Sequence, residues 1–175
     1  MNYRKELEKL FKLIKNYWIK KKMTKKELNS NFSFTKEGIK QACLKKNSDE
    51  IAYLMYSIWI FDLFPKYSLN FVKSFSELSR EEFHEEHEDI ASYFQSLHLP
   101  QTIDTVYELA ISNFEKYRWD DNFALVRKCC FALGDINTPK AKEKLELLLQ
   151  SEEETIREHA MEQLKRCDFT NKDVK

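Results

Sequence analysis

Hydrophobic residues recur along this chain at spacings of three and four, which is the pattern of an amphipathic α-helix. The pattern is clearest in residues 2–22, where one face carries Leu7, Leu10, Phe11, Ile14, Tyr17 and Trp18. Polar breaks divide the rest of the first half. We predict a short helix from 24, a break at 29–34 and a second short helix from 35. A helix over 51–64, capped by residues 47–49, and a helix over 67–78 follow.

The second half is more regular, because each predicted helix begins at a recognisable cap. Residues 79–82 (SREE) and 151–154 (SEEE) match the capping box, in which a Ser or Thr N-cap is followed three residues later by Glu or Gln. Thr138 followed by Pro139 is an N-cap with proline at the first helical position. We therefore predict helices that begin at 79, at 100, at 120 or 121, at 139 and at 151.

The composition excludes most other fold classes. The chain has 175 residues but only 2 glycines and 3 prolines, too few for the turns of a sandwich, a barrel or a doubly wound fold. The same scarcity excludes a glycine-rich phosphate-binding loop. With 42% hydrophobic residues, the chain is apolar enough to bury a core. We therefore predict an all-α protein.

The sequence predicts neither a targeting segment nor a disulfide framework. Residues 1–20 are charged and lack the apolar stretch of a signal peptide. The longest apolar run, 51–64, contains Asp62 and is shorter than the roughly 20 residues that span a bilayer. The 4 cysteines form no CxxC pair. We therefore expect reduced thiols, a cytoplasmic location and no membrane partner.

The helices of the second half repeat. A shift of 39 residues superimposes three positions, namely Pro100 on Pro139, Val106 on Leu145 and Leu109 on Leu148. A shift of 31 residues superimposes three more, namely Leu125 on Ile156, Cys129 on Ala160 and Leu133 on Leu164. The difference between the two shifts falls in the loop 113–121. Because a single helix pair cannot bury its own apolar face, repeated pairs are expected to stack.

Two segments of these repeats resemble the HEAT family. Ile156-Arg157 followed by Ala160 and Leu164 is similar to the second helix of a HEAT-type repeat. Residues 132–141 (ALGDINTPKA) are similar to its Ala-Leu pair, short Gly/Asp turn and Pro-x-Ala start of the next first helix.

This resemblance implies a right-handed α-solenoid of HEAT-like helix pairs over residues 66–167, an irregular helical cap over 1–65 and a polar tail over 168–175. In such stacks an arginine that follows an apolar residue, here Arg127 or Arg157, often pairs with an acid of the neighbouring repeat. The layout is also similar to small bacterial HEAT-repeat proteins, some of which are thought to be immunity proteins of toxin systems.

The net charge of zero hides an asymmetry along the chain. Residues 1–50 hold 14 Lys and Arg against 6 Asp and Glu, whereas residues 77–108 hold Arg80 alone against nine acids. An acidic block of this kind either steers a basic partner or is an ordinary solvated face.

The string His84-Glu85-Glu86-His87-Glu88-Asp89 is the first candidate site, placed on the helix predicted from 79. His84, His87 and Glu88 share one helix face and resemble metal ligands, but the spacing is not that of His-Glu-x-x-His and no distant ligand is evident. We therefore predict no metal and no cofactor. The remaining interpretations are a partner-binding acidic surface, formed by His84, Glu85, His87, Glu88 and Asp89, and a solvated helix.

The loop between the repeats is the second candidate site. Tyr117, Trp119, Asp120 and Asp121 lie in it, and tyrosine and tryptophan are frequent interface anchors. The alternative is that Trp119 packs locally under the adjacent helices.

We expect a non-catalytic protein-binding module. The second helices of its repeats would line a concave acidic surface that binds a basic protein partner, and the most specific form of this hypothesis is that the partner is a toxin domain. The alternative is a nucleic-acid-binding or DNA-base-repair protein on the same fold, suggested by the lysines of 20–26. It is disfavoured because only 6 residues are arginines and Arg4 alone lies in the basic block. A third possibility is a structural scaffold that forms a homodimer.

Overall fold

The computed structural model describes residues 25–60, 63–112, 114–117 and 122–173, and all regular structure in these ranges is helical. This confirms the all-α prediction. The helix predicted over 2–22 lies outside the described residues. None of the described helices combines the length and the apolar character that a membrane span requires. The α-helices are α1 Lys25–Lys45, α2 Ser48–Ile60, α3 Phe64–Leu78, α4 His87–Leu97, α5 Ile103–Ala110, α6 Ala124–Ile136, α7 Pro139–Leu148 and α8 Glu154–Arg166.

The chain divides into two compact units between Phe71 and Val72. In the first unit, α1 is one continuous helix, so the predicted break at 29–34 is wrong. The residues that suggested the break make tertiary contacts instead: the Asn29 side chain accepts hydrogen bonds from Tyr67 and Lys66, and the Phe32 ring stacks on Tyr67 with centroids 4.3 Å apart. These contacts override a local sequence preference that is weak in itself.

Helices α1 and α2 pack closely in this unit. Gly38 lies at their contact, where an added Cβ would be 2.7 Å from Leu54 Cδ2. The buried hydroxyls of Thr35 and Ser57 are hydrogen-bonded at 3.0 Å nearby. The predicted cap of α2 is confirmed, because Glu50 N–H donates to the Asn47 side chain at 3.2 Å.

The second unit arranges its helices in two rows. Helices α4, α6 and α8 contact one another in that order, while α5 and α7 contact each other and pack on α6. Phe75 of α3 packs edge-on against Tyr93 of α4, with centroids 4.5 Å apart. Most apolar positions that the repeat shifts superimpose are buried in this unit, and Ile156 and Leu164 are half-buried. The buried ones are Val106, Leu109, Leu125, Cys129, Leu133, Leu145, Leu148 and Ala160.

The predicted caps have mixed outcomes. The Thr138 hydroxyl accepts a hydrogen bond from Ala141 N–H at 3.2 Å and Pro139 begins α7, which confirms that cap. The box at 151–154 is wrong, because the Ser151 hydroxyl instead accepts from Glu153 N–H, and Glu154 is already the first residue of α8. The start at 100 is a 3-10 turn, Pro100–Thr102, that leads into α5. The caps predicted at 120 and 121 lie outside the described residues.

Arginines join neighbouring helices, but not in the predicted pairs. Asp135 of α6 pairs with Arg166 at 2.5 Å and accepts a hydrogen bond from Gln95 of α4 at 2.6 Å. Arg157 instead donates to backbone carbonyls just before its own helix, and Arg127 lies over the Phe131 ring. The pairing predicted for Arg127 or Arg157 is therefore wrong, and the arginine that joins α8 to an acid of α6 is Arg166.

The carboxy-terminal segment is docked rather than a simple polar tail. Phe169 is buried, and Asn137 at the end of α6 donates a side-chain hydrogen bond to Asp168 at 2.8 Å. The backbone N–H of Asn171 donates to the Asn137 carbonyl at 2.9 Å. Residues 168–173 thus cover the end of α6.

Candidate functional site

The acidic segment, which we define as Glu81–Asp89, joins α3 to the first turn of α4. A helix was predicted from Ser79, but the Ser79 hydroxyl donates to the Ser76 carbonyl at 3.0 Å, and α4 begins only at His87. The segment therefore lacks the backbone hydrogen bonds of a helix, and its carbonyls need hydrogen-bond donors from side chains.

His84 supplies one of those donors from a fully buried position. Its Nδ1 lies 3.0 Å from Glu86 N–H and accepts a hydrogen bond from it, so the ring hydrogen is on Nε2 and is donated to the Leu78 carbonyl at 2.8 Å. Burial lowers the pKa of His84 below its usual value of 6.5, with a smaller contribution from Lys116. The ring is therefore a neutral structural element at neutral pH.

His87 is equally buried and repeats the arrangement. Its Nε2 donates to the Glu81 carbonyl at 3.0 Å, and its Nδ1 lies 3.2 Å from the Tyr117 hydroxyl. That hydroxyl is also 3.1 Å from the Glu85 carbonyl, so its one hydrogen is shared between two acceptors. Burial lowers the pKa of His87 to about 3, and electrostatic interactions with His84 and Lys116 add to this effect.

A 3-10 turn, Glu115–Tyr117, reaches the segment from the other side. The Lys116 ammonium donates to the Glu82 carbonyl at 3.0 Å and to the His84 carbonyl. Burial lowers the pKa of Lys116, while nearby glutamates oppose that shift. We call His84, His87, Lys116 and Tyr117 the bracing cluster, because together they bind five backbone carbonyls in and beside the acidic segment.

The bracing cluster corrects the predicted role of the histidines. Both rings are fully buried, so neither His84 nor His87 lies on a partner-facing surface. Their four ring nitrogens are all engaged, which leaves none for a metal or a proton transfer. In the described part of the chain, no group of three or more candidate ligands is placed to hold a metal.

The other predicted site residues differ in their exposure and in their contacts. Glu85 and Asp89 are exposed, as a partner-binding role requires. Glu88 pairs with Lys128 at 3.1 Å, and Tyr117 is half-buried in the bracing cluster. Trp119, Asp120 and Asp121 lie outside the described residues.

Sequence reasoning missed an apolar groove of about 780 Å³ in the second unit. Its walls come from elements that are distant in sequence, so no local pattern identifies it. One signal was available: Leu147-Leu148-Leu149 is a longer leucine run than one buried helix face needs, and Leu147 is exposed in the groove wall. Tyr107, Ile111, Phe114, Tyr117, Phe123 and Ile156 also line it.

Comparisons with known protein families, with curated proteins and with solved structures gave no match. The HEAT resemblance therefore rests on the residues quoted for it.

Proposed function

We propose that this protein is a non-catalytic binding module whose acidic segment docks a basic protein partner. The observation that carries the proposal is the separation of the segment into two sides. The carbonyls of residues 81, 82, 84 and 85 accept hydrogen bonds from the bracing cluster, while the side chains of Glu81, Glu82, Glu85 and Asp89 are exposed.

Glu81, Glu82, Glu85 and Asp89 share one property besides their exposure. No described lysine or arginine forms an ion pair with any of them. Some other acids of the unit are already paired, namely Glu88 with Lys128, Asp104 with Lys140, Glu108 with Arg80 and Asp135 with Arg166. Lys116 interacts electrostatically with Glu82 and Glu85 without forming an ion pair, and all four side chains are exposed to an external partner.

A braced loop is also suited to binding on energetic grounds. A segment that is already ordered loses little conformational entropy when a partner docks, so more of the interaction energy becomes affinity. Several like charges on one short segment raise the rate of encounter with a cation-rich surface, and this effect weakens as salt is added.

Within this proposal we retain the HEAT-like, right-handed solenoid as the architecture of residues 66–167. The two rows of helices in the second unit and the cap at Thr138 support it. None of the four cysteines forms a disulfide, which supports a cytoplasmic location. Neutralisation of a basic toxin domain is the narrowest form of the function, and it draws on the family resemblance alone.

Affinity capture from a lysate of the source organism tests the proposal with a variant of the acidic segment and a control variant of α8. Glu82→Gln/Glu85→Gln/Asp89→Asn removes charge from the acidic segment, and Glu158→Gln/Glu162→Gln removes exposed charge from α8. We expect the wild type and the α8 variant to capture the same partner protein at low salt. The variant of the acidic segment should fail to capture it. Equal capture by all three proteins would contradict the proposal, and recovery of nucleic acid instead would favour the alternative function.

A further inference from the structure

The apolar groove lies directly beside the acidic segment. Phe114 and Tyr117 belong to the groove wall, and the same two rings contact His87 of the bracing cluster. The Phe114 ring centroid is 4.4 Å from that of His87, and the Tyr117 hydroxyl reaches the Glu85 carbonyl at 3.1 Å. One ligand segment is therefore able to touch both surfaces.

The groove exposes apolar area that the second unit otherwise buries. In the described part of this unit, the large hydrophobic side chains that are strongly exposed are Ile111 at 55%, Leu147 at 38% and Met161 at 40%. Ile111 and Leu147 both line the groove. Its volume of about 780 Å³ falls within the roughly 300–1,000 Å³ of typical ligand sites.

The charge around the groove is negative. Glu153 lines it, and Glu82 and Glu115 line a smaller depression that shares Phe114 with it. Three cations lie nearby: Lys116 lines the same smaller depression, Arg157 donates to the carbonyls of 151 and 152, and Lys144 is paired with Asp104 at 3.4 Å. Glu82, Glu115 and Glu153, together with the other exposed acids of the acidic segment, outnumber these cations.

We infer that this groove receives the apolar side chains of an amphipathic, lysine- or arginine-rich segment of a protein partner. The inference rests on the proposed function and specifies the partner. Apolar side chains of the segment fill the groove beside Ile111 and Leu147, while its cations face Glu153 on one side and the acidic segment on the other. Charge complementarity selects this occupant over an acidic or neutral one.

A designed probe tests the inference with the full chain. The probe is a fluorescent synthetic helix of leucine and lysine with one apolar face, and its control is a scrambled peptide of the same composition without that face. Binding is measured by fluorescence anisotropy for the wild type and for Ile111→Ser and Leu147→Ser. Met161→Ser is the matched control, since Met161 is similarly exposed but lies outside the groove.

We expect the wild type to prefer the amphipathic peptide, and each groove substitution to weaken its binding by about tenfold while Met161→Ser has little effect. Equal affinity for both peptides, or equal effects of all three substitutions, would overturn the inference. A dimer that dissociates with Ile111→Ser in light scattering would overturn it in favour of a second copy. A large loss of thermal stability with the groove substitutions alone would show that the chain covers the groove itself.

The variant Glu82→Gln/Glu85→Gln separates this inference from the proposed function. If it weakens peptide binding and the groove substitutions do not, the acidic segment is a docking site and the groove inference fails. If the groove substitutions weaken binding and the charge variant does not, the proposed role of the acidic segment fails.

Discussion

The imidazole rings of His84 and His87 stack in the interior with centroids 4.2 Å apart and planes 12° apart. Each ring donates through Nε2 to a backbone carbonyl and turns Nδ1 toward a donor, which is the pattern of a neutral imidazole. Two charged rings at this distance would repel each other strongly. The conformation of the acidic segment thus depends on both histidines being unprotonated.

We predict that acid destabilises the second unit. The folded-state pKa of His87 is about 3 and that of His84 is also lowered, so below about pH 6.5 the unfolded chain binds protons that the folded chain does not. The free energy of unfolding then falls as the pH drops from about 6.5 toward 3, by at most about 1.4 kcal/mol per pH unit for each histidine. Urea denaturation at about pH 7 and about pH 5 measures it.

The variant His87→Gln assigns this pH dependence. It should lower stability at neutral pH but flatten the loss in acid, whereas His98→Asn, at an exposed histidine, should leave the slope as in the wild type. An unchanged slope in His87→Gln would rule out His87 as its source.

Tyr117→Phe should loosen the acidic segment. The substitution removes the hydroxyl shared by Glu85 and His87 and leaves a buried acceptor on His87 without a donor. We expect the free energy of unfolding to fall by about 1–2 kcal/mol and amide hydrogen exchange in the acidic segment to increase. Tyr107→Phe is the control, because the Tyr107 hydroxyl makes no hydrogen bond within the described residues. Equal effects of the two substitutions would contradict the bracing role.

Gly134→Ala should destabilise the contact between α6 and α8. An added Cβ would lie 2.9 Å from both Gln163 Oε1 and Arg166 Nη2, and 3.2 Å from Gln163 Cβ. Both atoms at 2.9 Å end long side chains, but hydrogen bonds hold Arg166 to Gln163 and to Asp135. After the gain in helix propensity of about 1 kcal/mol is subtracted, we expect a net loss of up to about 2 kcal/mol in chemical denaturation. In a Gln163→Ala background the loss should shrink. A stabilising Gly134→Ala would show that this contact has room to adjust.

His98→Gly should stabilise the protein. His98 ends α4 with φ 50° and ψ 39°, a left-handed conformation that costs a residue with a Cβ roughly 1–2 kcal/mol. After the greater flexibility of glycine in the unfolded chain is subtracted, we expect a gain of up to about 1 kcal/mol in thermal unfolding. Ser96→Gly, two residues earlier and inside the helix, should instead lower stability. A loss in both variants would contradict this account of the turn.

The sequence predicted features that depend on neighbouring residues and missed features that depend on residues distant in the chain. Asn47 and Thr138 cap their helices through groups three residues away, so the local sequence was sufficient for both. The break predicted at 29–34 failed because Asn29 and Phe32 contact Tyr67, which lies far along the chain.

The candidate site also depends on contacts that the local sequence does not reveal. His84 and His87 were identified, but their acceptors are the backbone carbonyls of Leu78 and Glu81, which carry no signature in the residue types. Their spacing of three suggested a helix face instead. The groove wall combines residues from several helices, and only the three-dimensional packing brings Ile111 and Leu147 together.

The central claim is that the exposed carboxylates of the acidic segment steer a basic partner. The most direct test is the association rate with the captured partner as ionic strength rises from about 0.01 M to 0.15 M, which shortens the screening length from about 30 to 8 Å. We predict that the wild-type rate falls by about tenfold or more, and that Glu82→Gln/Glu85→Gln/Asp89→Asn associates slowly with little salt dependence. The same rate and the same salt dependence in both proteins would contradict the claim.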